Sequence, residues 1–148
     1  MGPHPHWAAR DDNMKITALL AAFVFAMLSG VTPVHADALV NPAPIAVPAG
    51  VDQAAVHQAI KQALMYRNWV ISAQQPGRVD ATLYLRGNEA RIRIDYDDAQ
   101  VRVSYVDSRG LEAGTDEGVQ QIHGRYLTWI DYLTGDIRNN LGHAPRHG

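Results

Sequence analysis

The chain has 148 residues, with 13 Lys and Arg against 15 Asp and Glu, seven His and no cysteine. The near-neutral balance gives no general attraction to nucleic acid or to charged membranes. Without cysteine there is no disulfide staple, no thiolate chemistry and no site for the acylation that anchors a lipoprotein.

Residues Met1 to Asn13 carry Pro3, Pro5, His4, His6 and the acidic pair Asp11-Asp12. An acidic, proline-containing stretch sits awkwardly at the head of an export signal, and translation is expected to begin at Met14. Lys15 opens a charged start, Ile16 to Leu28 is almost wholly apolar, and Val34-His35-Ala36 has the small-residue form of a processing site. This pattern is that of a secretory signal peptide, residues 1–36, cleaved after Ala36. The apolar run is shorter than the roughly 20 residues of a membrane span. The mature protein is therefore expected in the periplasm, without stable membrane insertion and away from nucleic acid. Its 112 residues keep 11 basic and 13 acidic side chains and suffice for one small core.

Residues 37–50 hold Pro42, Pro44 and Pro48 among Ala and Val, and read as an extended, unpacked leader. A single domain is expected over 51–141. Asp52 is an N-cap, Val51 can staple onto Val56, and Val56, Ala59, Ile60, Ala63 and Leu64 make the buried stripe of a first helix ending near Asn68. Trp69 to Ala73 is a strand, with Trp69, Ile71 and Ala73 facing inward. A three-residue loop at Gln75-Pro76-Gly77 leads out of it.

Val79 to Val106 alternates apolar and polar residues through three runs, which predicts an antiparallel meander with one buried face. A turn at Gly87-Asn88 pairs Arg86 with Glu89, Tyr84 with Arg91, Thr82 with Arg93, Leu83 with Ile92 and Ala81 with Ile94. A turn at Asp98-Ala99 pairs Tyr96 with Val101 and Ile94 with Val103. The inward set is Val79, Ala81, Leu83, Leu85, Ile92, Ile94, Tyr96, Val101, Val103 and Tyr105.

Asp107 to Gly118 is polar with three glycines and is expected to be a loop. A last helix is expected from an N-cap at Thr115, with Val119, Ile122, Tyr126, Trp129, Ile130, Leu133, Ile137 and Leu141 on its apolar side. Residues 142–148 read as a disordered tail. The fold class is α+β: a four-stranded antiparallel meander with two helices on one face, in the order α-β-β-β-β-α.

Trp69, Pro76-Gly77, Ile94-x-Tyr96, Tyr105-x-Asp107-Ser108 and Ile122-His123-x-x-Tyr126-x-x-Trp129-Ile130 occur together here. In these residues the chain resembles a family of small secreted proteobacterial envelope proteins, many of them predicted lipoproteins, with no assigned activity. The resemblance spans roughly residues 55–141 and implies an envelope protein without known catalytic residues. The chain departs from the family in lacking the lipidated cysteine.

Ser108, His123 and Asp107 or Asp131 supply the residue types of a hydrolase triad, but there is no G-x-S-x-G elbow. A small hydrolase-like enzyme using His123 with Asp107 and Ser108 is thus the alternative to a non-catalytic protein. His123 is expected instead to bond the Asp107-Ser108 loop and pin it to the last helix. Tyr126, Trp129 and Trp69 are expected to be structural. His57, His123, His143 and His147 form no close ligand pair, and Asp95, Asp97 and Asp98 lack the glycine and distal glutamate of a calcium loop, so neither metal nor cofactor is expected.

The outward face of the meander carries Tyr84, Arg86, Arg91, Arg93 and Arg102. Its expected rows are Tyr84, Arg91 and Val106; Thr82, Arg93 and Ser104; and Asp80, Asp95 and Arg102. Such a face suits an anionic envelope ligand or an acidic partner protein. The expected function is a non-catalytic periplasmic binding or adaptor protein. On the far side of the last helix, Gly124, Thr128, Asp131 and Gly135 form a small-residue face that could meet a second copy of the chain.

Overall fold

The computed structural model describes residues 36–148, so the export signal and the start at Met14 lie outside the described residues. Two antiparallel sheets and two helices make up the fold. The strands are β1 (Ala36–Ala38), β2 (Ile45–Ala46), β3 (Val70–Gln75), β4 (Arg78–Leu85), β5 (Asn88–Tyr96), β6 (Gln100–Arg109), β7 (Gly114–Asp116) and β8 (Val119–His123). The helices are α1 (Gln53–Tyr66) and α2 (Gly124–Gly142). The larger sheet has the order β2-β6-β5-β4-β3 and the smaller one β1-β8-β7. The α+β class with an antiparallel sheet is as expected; in place of a single four-stranded sheet there are a five-stranded and a three-stranded one.

α1 follows its sequence signals throughout. The Asp52 side chain accepts from the Ala55 N–H at 2.8 Å, and the buried residues are Val56, Ala59, Ile60, Ala63 and Leu64. Asn68 takes a left-handed φ of 64° and closes the helix. The Asn68 N–H reaches the Met65 carbonyl at 3.1 Å, and the Trp69 N–H reaches that of Leu64 at 2.9 Å. This double bond pattern is the Schellman motif, and Trp69, just past it, is buried.

The β5–β6 hairpin has the expected register, with Tyr96 opposite Val101 and Ile94 opposite Val103. The β4–β5 hairpin does not. Leu85 pairs with Asn88, Ala81 with Ile92 and Asp80 with Arg93, a slip of two residues from the expected pairing. The turn is Arg86-Gly87, with φ of 52° and 80°, as a type I′ turn requires. A two-residue slip leaves the faces unchanged, so the inward set survives. Leu85 leaves it, being 39% exposed at the hairpin tip, and Ala90 joins it, fully buried. The reason for the slip is electrostatic. The expected register sets Asp80 against Asp95, whereas the real one sets Arg93 against Asp80 and Arg78 against Asp95.

β3 also departs from expectation. Pro76-Gly77 forms a two-residue turn, Gln75 pairing with Arg78, and the additional residue is taken up as a bulge at Ser72. Beyond that bulge Ala73 is exposed rather than inward. A turn opened by proline does not match strand twist, and a bulge supplies twist.

The polar stretch after β6 is a hairpin rather than a loop. Glu117 and Gly118, with φ of 48° and 81°, make a second type I′ turn between β7 and β8. The last helix therefore begins at Gly124, not near Thr115. Its N-cap is His123, whose Nδ1 accepts from the Arg125 N–H at 3.1 Å. Val119 lies on β8 and is half exposed. Tyr126, Ile130, Leu133, Ile137 and Leu141 form the buried stripe of α2. Burial pushes the Tyr126 phenol well above the usual tyrosine range, and its ring meets Tyr105 edge-on at 5.5 Å. His57 of α1 bonds the Tyr96 hydroxyl at 2.8 Å. Both helices thus meet the inward face of the larger sheet, and their stripes join it in a single core.

Residues 37–50 are packed, not free. Ile45 is buried at 3% exposure and pairs with Val101 of β6; Leu39 and Val47 lie against the core. Asn41 Oδ1 accepts from the Tyr105 N–H at 3.0 Å, and the Val47 N–H donates to Ala99 at 2.9 Å. This leader is a strap along the β6 edge. The tail is also held: the His147 N–H donates to the Gly50 carbonyl at 2.8 Å and its ring lies 3.0 Å from the Asp52 carboxylate.

Candidate functional site

The outward face of the sheet is an ordered ladder of ion pairs. Arg93 grips Asp80 with two bonds at 2.9 and 3.2 Å, and Arg78 reaches Asp95 at 2.7 Å. Arg91 binds Asp107 through both nitrogens of one edge, and Arg109 meets Glu89 at 3.1 Å. The expected row of Tyr84, Arg91 and Val106 is broken by the register slip and by a β6 irregularity that sets Arg91 against Asp107. Arg102 lies opposite Asp95, and the Gln100 carboxamide, with its oxygen turned that way, accepts from Arg102 at 2.8 and 3.2 Å. Of the five residues expected to bind ligand, Arg91 and Arg93 are thus committed to carboxylates of the same sheet. Tyr84 and Arg86 stand at the hairpin end.

These pairs have a pH signature. Arg93 holds the Asp80 carboxyl below the usual carboxylate range, and Arg91 does the same for Asp107. Asp97 is lowered by the N–H groups of Gln100 and Ala99 that it accepts. A depressed carboxylate pKa stabilises the fold above the unfolded value of about 4 and loses that contribution as pH falls through the folded value. Stability should therefore be flat from neutrality to about pH 5 and fall below about pH 4. Asp80→Asn should lower stability at neutral pH and make the acid slope shallower, as read by urea unfolding at a series of pH values. An unchanged slope would mean that the Asp80–Arg93 pair does not act.

Among the described residues, no side-chain hydrogen bond joins Asp107, Ser108 and His123. Asp107 is held by Arg91, Ser108 Oγ bonds the Tyr105 hydroxyl at 2.8 Å, and the His123 ring caps α2. His123 does not pin the Asp107-Ser108 segment; its backbone N–H instead bonds the Leu111 carbonyl at 2.9 Å. Leu111, buried at 1% exposure, anchors that segment from within. The small-residue face of α2 changes meaning as well. Gly124 is the first residue of the helix, and the Asp37 carboxylate occupies the space that a side chain there would need. The close approach comes from the protein's own β1, while Gly135 faces open space.

A different surface stands out. The end of α1, the middle of α2 and the tip of the β4–β5 hairpin converge on a cleft of about 310 Å³. Its walls include Trp69, Leu83, Tyr84, Leu85, Trp129 and Tyr132, with Arg67 and Asn68 at one side. Trp129 is half-buried here, so it lines the cleft as well as closing the core. Tyr84 and Tyr132 are 63% and 53% exposed, and Met65 and Tyr66 are exposed close by on α1. Arg67 fixes this corner. It binds Asp136 of α2 at 2.5 and 3.2 Å, and its guanidinium lies 5.2 Å from the Tyr66 ring and 4.9 Å from the Tyr132 ring. A cation between two rings preorganises both.

Tyr84 is the single cleft residue that sequence reasoning places at a binding surface. Arg67, Tyr66 and Tyr132 escape it. Tyr66 and Tyr132 do carry a signal, as aromatic residues off the buried stripes of their helices. No family model, curated protein or solved structure matches this chain.

Proposed function

We propose that this protein is a non-catalytic binding module of the cell envelope and that the aromatic cleft is its recognition surface. The observation carrying this is the group of solvent-exposed Tyr84, Leu85, Tyr66 and Tyr132 around Trp129, held in place by the Arg67–Asp136 pair. Isolated apolar side chains on a surface need no explanation, but a clustered patch marks an interaction site. Tyr, Trp and Arg are also the residues that dominate binding energy where surfaces meet. The envelope assignment rests on the apolar segment and small-residue site before Asp37, and on the family resemblance. The ion-pair ladder weighs against the anionic ligand expected for the outward face, since Arg91 and Arg93 already have carboxylate partners.

The test is retention of envelope components by the immobilised protein. A Tyr84→Ala/Tyr132→Ala variant should retain at least tenfold less of whatever the native protein holds, a loss of about 1.4 kcal/mol. An Arg91→Ala/Arg93→Ala variant should retain it. The opposite pattern, with loss only in the arginine variant, would move the recognition surface to the outward face of the sheet and overturn this reading.

A further inference from the structure

We propose that the seam between α1 and α2 binds a linear, uncharged oligosaccharide whose end stacks in the aromatic cleft; this rests on the cleft being the recognition surface. The cleft is one of three cavities in a row. A second, of about 420 Å³, is lined by Gln62, Tyr66, Arg67, Asp136, Asn139 and Asn140. A third, of about 680 Å³, continues past Gln58 toward the tail. Arg67 borders the first and second, and Gln62 and Asn140 border the second and third, so the three form one trough along the helix pair. From Asp52 to Arg67 the trough follows α1 for roughly 22 Å at 1.5 Å per residue. That length suits a chain of sugar rings better than a single small molecule.

The lining chooses the ligand class. Gln58, Gln62, Asn139 and Asn140 offer carboxamides, each with donors and an acceptor, as hydroxyl groups themselves have. Asn140 spends one N–H on the Ala59 carbonyl at 3.1 Å, which sets its orientation. Arg67 is matched by Asp136, and the Asp52 carboxylate is already engaged by the Ala55 N–H and the His147 ring. Nothing there calls for an ionic ligand. At the cleft end the exposed Tyr rings present apolar faces with a polar tip, suited to the apolar face of a sugar ring. A peptide fits less well. A helical peptide needs a continuous apolar groove, and an extended one needs a free strand edge, whereas Gln62, Arg67, Asp136, Asn139 and Asn140 interrupt this seam at its middle with polar groups.

The experiment is an NMR titration of the exported protein with tetra-N-acetylchitotetraose and with maltotetraose, with tetragalacturonate as the anionic comparison. The carboxamide signals of Gln58, Gln62, Asn139 and Asn140 should shift with the Trp129 indole on one saturable curve for at least one neutral probe. Gln62→Ala/Asn139→Ala, two exposed positions, should weaken that binding at least tenfold with unchanged thermal melting. No response to either neutral probe at millimolar concentration, or tighter binding of tetragalacturonate, would overturn the assignment. Shifts confined to Trp129 and Tyr132 would overturn the seam while leaving the cleft as the recognition surface. If Tyr84→Ala/Tyr132→Ala also retains its envelope ligand in full, the cleft reading falls with it.

Discussion

Replacing Trp69 by alanine should destabilise the protein by about 3–5 kcal/mol, the range for large aromatic deletions in cores. Trp69 is 4% exposed and sits immediately after the residue that ends α1. Its N–H closes the Schellman motif on the Leu64 carbonyl, and its ring is the apolar contact that accompanies such a motif. Truncation would leave a cavity between the end of α1 and the start of β3, and the helix could not relax into it without breaking its own cap. Trp129→Ala should cost less, about 1–2 kcal/mol, because that side chain is only partly buried at the margin of the core. Urea unfolding should show a lower midpoint with an unchanged slope for both variants. A loss below about 1 kcal/mol for Trp69→Ala would mean that the ring is not a core element.

Ile45→Ala should cost about 2–3 kcal/mol, the lower part of the range for such truncations, because a strap can settle partly into the space left. Ile45 is the anchor of β2: it is 3% exposed and opposite Val101 at the edge of β6. In a leader that trailed in solvent the same change would be silent. Chemical unfolding decides between these, and a shift under about 0.5 kcal/mol would return residues 37–50 to solvent.

Local signals carry most of the fold. α1 is legible down to its cap and stripe, because Asp52, Val51 and the helical spacing all act within a few residues of one another. The Asp98-Ala99 hairpin is legible because the Asp97 carboxylate accepts from the next N–H groups along the chain. The register of β4 on β5 is recoverable too, but only when the Asp80–Asp95 clash is weighed above turn preference; turn preference alone gives the wrong pairing. The β7–β8 hairpin hides behind Glu117, which takes a positive φ without being glycine. The strap hides behind its prolines: composition says extended, and only the position of Ile45 against Val101 says packed. The cleft needs three elements at once. Tyr66, Tyr84 and Tyr132 are far apart in sequence, and no periodicity connects residues that meet through an Arg67–Asp136 pair.

The strap also bears on how a new chain assembles. β3, β4 and β5 each pair with the next strand in sequence, so the meander can close through its own short turns. β2 must return to β6, and β1 to β8, across most of the domain, with Asp37 meeting Ile122. Contacts between distant segments form slowly even where their equilibrium cost grows only with the logarithm of loop length. For that interval the β6 edge at Val101 is bare, and a bare apolar edge pairs with any strand that reaches it first. The opposite edge carries its own defence in the Ser72 bulge. The strap is thus an intramolecular shield against aggregation, and its concentration beside β6 is set by the covalent chain rather than by the surrounding protein.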